Sequence, residues 1–136
     1  YLIILKLLSV EGRNTKGRIG IKLSANDQVI SFSTTTEEQV VIALNKDGKG
    51  KASPIKEYKL QQRNGTGLKT LTSDNYHLLN LIATTKDKEI MLITTENRFI
   101  RKKVIDITHT DRLGNMYSQV NLDDETLVEI FKLPTI

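Results

Sequence analysis

Lys46-Asp47-Gly48-Lys49-Gly50-Lys51-Ala52-Ser53-Pro54-Ile55-Lys56-Glu57-Tyr58, followed by Gln61-Gln62-Arg63-Asn64-Gly65-Thr66-Gly67, decides the reading of this sequence. Just before it runs an apolar segment, Gln39 to Leu44, and Asn45-Lys46-Asp47-Gly48 then has the composition of a hairpin turn in which Gly48 takes positive φ. Pro54 suits the first position of a single helical turn over Ile55 to Tyr58. Beyond it, Arg63 stands in a turn rich in Asn and Gly.

Working outward, the same arrangement recurs. Gly12-Arg13-Asn14-Thr15-Lys16-Gly17 and Asp111-Arg112-Leu113-Gly114-Asn115-Met116 also set an arginine in a Gly/Asn turn, and Arg13, Arg63 and Arg112 are 50 and 49 residues apart. After each turn comes an extended segment (Arg18 to Leu23, Leu68 to Leu71, Tyr117 to Leu122), then a polar gap, then an apolar run at Val29, Leu79 and Leu127. The other apolar bursts are short and rich in Val, Ile, Thr and Leu: Gln28 to Phe32, Leu78 to Ala83, Glu89 to Thr95, Arg98 to Ile107 and Thr126 to Leu133. Such runs between turn-forming clusters, among them Lys86-Asp87-Lys88 and Glu96-Asn97, predict strands. Asp123 to Phe131 could also cap a short helix, with strand the favoured reading. A repeat of about fifty residues built from four or so strands predicts an all-β fold, a fragment of a β-propeller of about two and a half to three four-stranded blades. The expected units are 1–35 (a partial blade), 36–85 and 86–136.

Composition bounds the function. The 136 residues are 38% hydrophobic and 26% charged, as in a soluble globular domain, and contain no cysteine. That removes disulfides, thiolate catalysis and cysteine zinc sites, and fits a reducing compartment, with the cytoplasm as the expected location. The apolar start, Tyr1 to Leu8, is interrupted by Lys6 and lacks the features of a signal peptide, so neither a leader nor a membrane span is expected. Twenty Lys+Arg against 16 Asp+Glu give a net charge of +4, unevenly spread. Arg13 to Lys22 and Lys46 to Lys69 are basic, Arg98, Arg101, Lys102 and Lys103 form a third cluster, and Asp123, Asp124, Glu125 and Glu129 offset them.

The central stretch resembles a blade of the C-terminal β-pinwheel of the bacterial DNA gyrase A subunit. That family's pattern is a glycine turn, a basic pair, Thr/Ser-Pro, Glu-Tyr and then the gyrase box, Q-x-R-G-G-K-G. Glu89 to Thr95, Phe99-Ile100-Arg101, Asp106-Ile107 and Asp111-Arg112 are similar to the strands that follow, so the resemblance covers essentially the whole chain and places it near the C-terminal end of the family's polypeptide. In the box, Asn64 replaces a glycine and Thr66 the lysine, and the basic pair is reduced to Lys51-Ala52. These departures leave the corresponding subunit of topoisomerase IV, whose boxes are degenerate, as the alternative. The resemblance implies DNA wrapping in support of ATP-dependent supercoiling. Its implied partners are duplex DNA, the rest of the gyrase A polypeptide and the gyrase B polypeptide, with ATP and magnesium as cofactors of the parent enzyme and none in this chain.

The residues themselves offer no catalytic centre. His77 and His109 have no metal-binding spacing and are expected at the surface, and Asp123-Asp124-Glu125 lacks the pattern of a calcium loop. Asn64-Gly65-Thr66 matches a glycosylation sequon by chance, and Gly48-Lys49-Gly50-Lys51 lacks the spacing of a phosphate loop. No tyrosine stands in a strand-cleavage site. What the basic turns offer is a grip on phosphate: an arginine fork, and glycines that let backbone amides approach. The expected DNA contacts are Arg13, Lys16, Lys49, Lys51, Gln62, Arg63, Gly65, Gly67, Lys69, Arg101, Lys102 and Arg112. With 5% aromatic residues and no recognition helix in view, binding is expected to be independent of base sequence. A protein-docking propeller, with the basic residues merely solubilising, is the reading of a different class.

Overall fold

The computed structural model describes residues 11–71 and 78–134. Among the described residues the regular structure comprises seven strands: β1 (Val40–Asn45), β2 (Lys49–Pro54), β3 (Leu78–Thr84), β4 (Glu89–Thr94), β5 (Phe99–Lys103), β6 (Tyr117–Ser118) and β7 (Leu127–Lys132). Single 3₁₀ turns, Ile55–Glu57 and Val104–Asp106, follow β2 and β5. The fold is all-β, with antiparallel sheets ordered β3-β1-β2-β6 and β5-β4-β7.

The period is visible strand by strand. β1 and β4 begin 49 residues apart, as do the two 3₁₀ turns and the pair β3 and β7. Gly48 and Asn97, which close the two hairpins, both have positive φ, 82° and 58°. Glycine adopts this region freely, and asparagine is the side-chain residue that tolerates it best. β6 breaks the simple order. Although it follows the second 3₁₀ turn, it pairs with β2, Lys49 opposite Ser118 and Gly50 opposite Tyr117, so the later repeat completes the earlier repeat's sheet.

β1 reads as a continuous apolar run because it is buried on both faces. Its Val40, Ile42 and Leu44 meet Ile90 and Leu92 of β4, together with Val104, Ile107, Leu127 and Ile130, to form the core between the sheets. Its Val41 and Ala43 join Ile55, Tyr58, Leu81 and Ala83 on the opposite face. Each fully buried branched side chain contributes roughly 1.5–3 kcal/mol. β4 alternates instead, with Ile90 and Leu92 inward and Met91 and Ile93 half-exposed on a face shared with Phe99, Arg101 and Phe131. Gly50 is required at its position: a Cβ there would lie 2.6 Å from the Ala43 carbonyl oxygen and 2.6 Å from the Leu44 side chain.

Three expectations are corrected. Gln28 to Phe32 forms no strand; Val29 is 63% and Phe32 88% exposed. In the later repeats the equivalent strands β3 and β7 pair with β1 and β4, whereas among the described residues no strand pairs with this run. Of Arg18 to Leu23, only Ile21 bridges, in parallel with Gly65, and Tyr117 to Leu122 shortens to the two residues of β6. Pro54 ends β2 with extended backbone, φ −61° and ψ 136°, and the 3₁₀ turn begins one residue later. The region from Asp123 onward holds a strand, β7.

Candidate nucleic-acid interface

The box turn is held from below by the first basic segment. The Asn64 amide donates to the Gly20 carbonyl at 2.9 Å and the Lys22 amide donates to the Gly65 carbonyl at 2.8 Å, on either side of the Ile21–Gly65 bridge. Gln62, Arg63 and Thr66 are therefore left exposed at the tip, while Gly65 is half-buried at the bridge. Asn64 has φ 63° and Gly67 φ 77°, so the asparagine that replaces the family's glycine takes a left-handed conformation open to it.

This pairing brings an exposed Lys22 beside the turn, with the exposed Arg18 four residues before it. The Arg18 Nε lies 2.7 Å from Glu11. The Glu11 carboxyl is held below the usual carboxylate range, first by the bond from the Thr15 hydroxyl, then by Arg18, with a contribution from the charge of Arg63. Arg63, Arg18 and Lys22 thus outnumber the one acid among them. Arg13 and Lys16 are exposed in a turn closed by the Thr15 amide on the Gly12 carbonyl at 3.1 Å. Lys22 and Arg18 stood in a recognised basic run but were not among the expected contacts. Their relevance comes from the parallel bridge, which no local pattern announces.

The third turn is built differently. Lys51, expected as a charge on the rim, is fully buried in β2, and its Nζ donates to the carbonyls of Thr70 at 2.5 Å, Arg112 at 2.7 Å and Gly114 at 2.8 Å. The correction has a physical reason: a buried ammonium needs acceptors, and three carbonyls from two later segments converge there. Burial pulls its pKa below the usual lysine range, the nearby charge of Glu57 opposes that, and Arg112 adds to it. The Arg112 amide donates to Glu57 Oε2 at 2.6 Å, its Nη1 donates to the Lys69 carbonyl at 2.6 Å, and its guanidinium carbon sits 6.0 Å from the centre of the Tyr58 ring. The Ser53 hydroxyl donates to the Asp111 carbonyl at 3.2 Å. Arg112 is consequently half-buried and engaged, whereas Arg63 is exposed.

The remaining expected contacts stand on β2, on the segment after the box turn and on β5. Lys49 is exposed on β2, and Lys69 is exposed beside the Arg112 clasp. Arg101 lies on the outward face of β5, where its Nε donates to Glu89 at 2.9 Å, and Lys102 turns its ammonium to the Gln119 carbonyl. His109 is exposed, as expected, and His77 lies outside the described residues. Among the described residues no cluster of His, Asp or Glu could hold a metal, and no helix is long and apolar enough to cross a membrane.

The chain as a whole has counterparts among known proteins. Residues 8–36 and 39–85 match the family model described as DNA gyrase C-terminal domain, beta-propeller. The DNA gyrase A polypeptide of Staphylococcus aureus strain MRSA252 is 29% identical over 121 residues, covering 86% of this chain and 14% of the relative, and that of strain NCTC 8325 matches equally. The chain thus spans about a seventh of the curated relatives' length. Among solved structures, a DNA gyrase A C-terminal domain superposes with a TM-score of 0.79 at 20% identity, covering 93% of this chain and 44% of that one. The C-terminal domain of a DNA topoisomerase IV gives 0.74 at 18% identity, covering 84% and 37%. At these identities the structural likeness speaks for the fold. The family match spans more than half of the chain, and the chain belongs to the DNA gyrase C-terminal β-propeller family.

Proposed function

We propose that this chain binds and bends duplex DNA through its phosphate backbone, without base selectivity, as the C-terminal domain of a DNA gyrase A polypeptide. The observation that carries the reading is the exposed Arg63, set in a box turn whose bridge to residues 20–22 draws Lys22 and Arg18 alongside it. A guanidinium fork at a turn tip can take two phosphate oxygens, and the flanking cations add charge that positions without reading bases. Bending a short duplex over the surface costs a few kcal/mol by elastic estimate, on the scale of a handful of phosphate contacts.

In the parent enzyme the wrapped segment would be presented to the strand-passage gate, in company with the rest of the gyrase A polypeptide and with gyrase B, in the bacterial cytoplasm. ATP and magnesium enter this reading as cofactors of the parent. The curated relatives and the family model favour gyrase over topoisomerase IV. A mobility shift with linear duplex at two salt concentrations tests the proposal. Retention at low salt that is lost at high salt supports it; retention indifferent to salt, or none at low salt, sinks it in favour of a protein-docking propeller.

A further inference from the structure

The two later arginine turns share a position in the repeat but not an environment. Arg63 is exposed, whereas Arg112 spends one guanidinium donor on the Lys69 carbonyl, its amide on Glu57 and its cationic face on the Tyr58 ring. Lys51 closes the same junction from inside, tying Thr70 of one repeat to Arg112 and Gly114 of the next. The supporting residues are not periodic. One period before Glu57 and Tyr58 the sequence has Leu8 and Ser9, and one period after Lys51 it has Ile100, so neither the carboxylate–tyrosine pair nor the buried lysine is repeated.

We infer that Arg112 is a positioning residue, which docks the Asp111–Met116 turn onto the Lys69–Thr70 segment and so fixes the angle between the basic surfaces of successive repeats, rather than a contact to phosphate. This inference rests on the DNA-bending reading above. The chemistry is specific: the Lys69 carbonyl that accepts from Arg112 belongs to a residue whose own ammonium is exposed, so the clasp holds in place the backbone from which that charge projects. Releasing it leaves the number of available cations near the DNA unchanged and alters where they point.

The test uses the full chain with Arg112→Met, Arg112→Lys and Arg63→Ala, reading two quantities on one end-labelled duplex. These are the slope of log affinity against log salt and the energy transfer between the DNA ends. Arg112→Met is expected to keep the wild-type slope and to lose about half of the bend-dependent transfer, because deformation follows the angle of the charged surface. Arg112→Lys, which keeps the charge but not the planar fork, is expected to do the same, and it decides the matter if the methionine variant fails to fold. Arg63→Ala should flatten the slope by about 0.9, the value for one phosphate. A slope flattened by about 0.9 in Arg112→Met, or wild-type slope and transfer in Arg112→Lys, overturns the positioning role alone. A wild-type chain with no salt-dependent retention overturns the DNA reading and this role together.

Discussion

The Lys51 ammonium lies 2.7 Å from the Arg112 carbonyl across 61 residues of sequence, so a lysine expected to meet DNA instead holds the turn that carries Arg112. Lys51 is the clearest test of that division. Lys51→Met keeps the unbranched stem of the side chain but removes the ammonium, leaving the carbonyls of Thr70, Arg112 and Gly114 without that donor. The expected loss is about 1–3 kcal/mol, the cost of leaving buried polar groups unpaired. Denaturant unfolding checks it; a variant as stable as wild type would mean that those carbonyls find water.

Gly50→Ala probes the close approach of β1 and β2. The new Cβ would meet the Ala43 carbonyl and the Leu44 side chain at 2.6 Å, inside van der Waals contact, so the hairpin must open. A loss of roughly 1–3 kcal/mol is expected, as for other overpacked interiors. Denaturant unfolding again provides the measurement, with a shift below a few tenths of a kcal/mol as the contradicting result.

Acid should loosen the later sheet. The Glu125 side chain is 6% exposed and paired with Arg98, whose bond, followed by that from Thr94, holds its carboxyl below the ordinary carboxylate range. A carboxylate whose pKa is lower folded than unfolded stabilises the fold above the unfolded value, and that contribution disappears as pH falls through the folded value. Glu125→Gln should therefore lower stability at pH 7 and remove part of the acid dependence below the usual carboxylate range. Parallel pH profiles for the two proteins would contradict this.

Much of the strand pattern was legible because the hairpins carry their own signals. The turn at Asn45 to Gly48, the alternating Glu89 to Thr94 and the 49-residue spacing of equivalent strands are all local or periodic features. Gln28 to Phe32 misled because an apolar run becomes a strand only where another strand pairs with it, and among the described residues none does. The site was less legible than the fold. Charge patterns mark where cations stand along the chain, but whether Lys51 faces water depends on three carbonyls contributed from 19 to 63 residues away. Lys22 reaches the box turn through a parallel bridge that has no sequence signature of its own.

The weakened box gives a gain-of-charge prediction. Thr66 is exposed beside Arg63, so Thr66→Lys should steepen the salt slope by about 0.9 and tighten binding at low salt, as one further phosphate is neutralised. Asn64→Gly should leave the slope unchanged, since Asn64 already takes the left-handed conformation at φ 63°. Affinity titrations on one duplex at several salt concentrations check both, and an unchanged slope in Thr66→Lys would make the turn a structural corner.

The central claim is that exposed cations around the box turn hold the DNA backbone, and the most direct measurement is the salt dependence of duplex affinity for wild type and Arg63→Ala on two unrelated sequences. Lys51 and Arg112 are engaged inside the protein; four phosphates neutralised by the exposed Arg13, Lys22, Arg63 and Lys69 predict a slope of roughly −3.6. Arg63→Ala should flatten it by about 0.9 on both sequences alike. A flat wild-type response, or an effect of Arg63→Ala confined to one sequence, would contradict the claim.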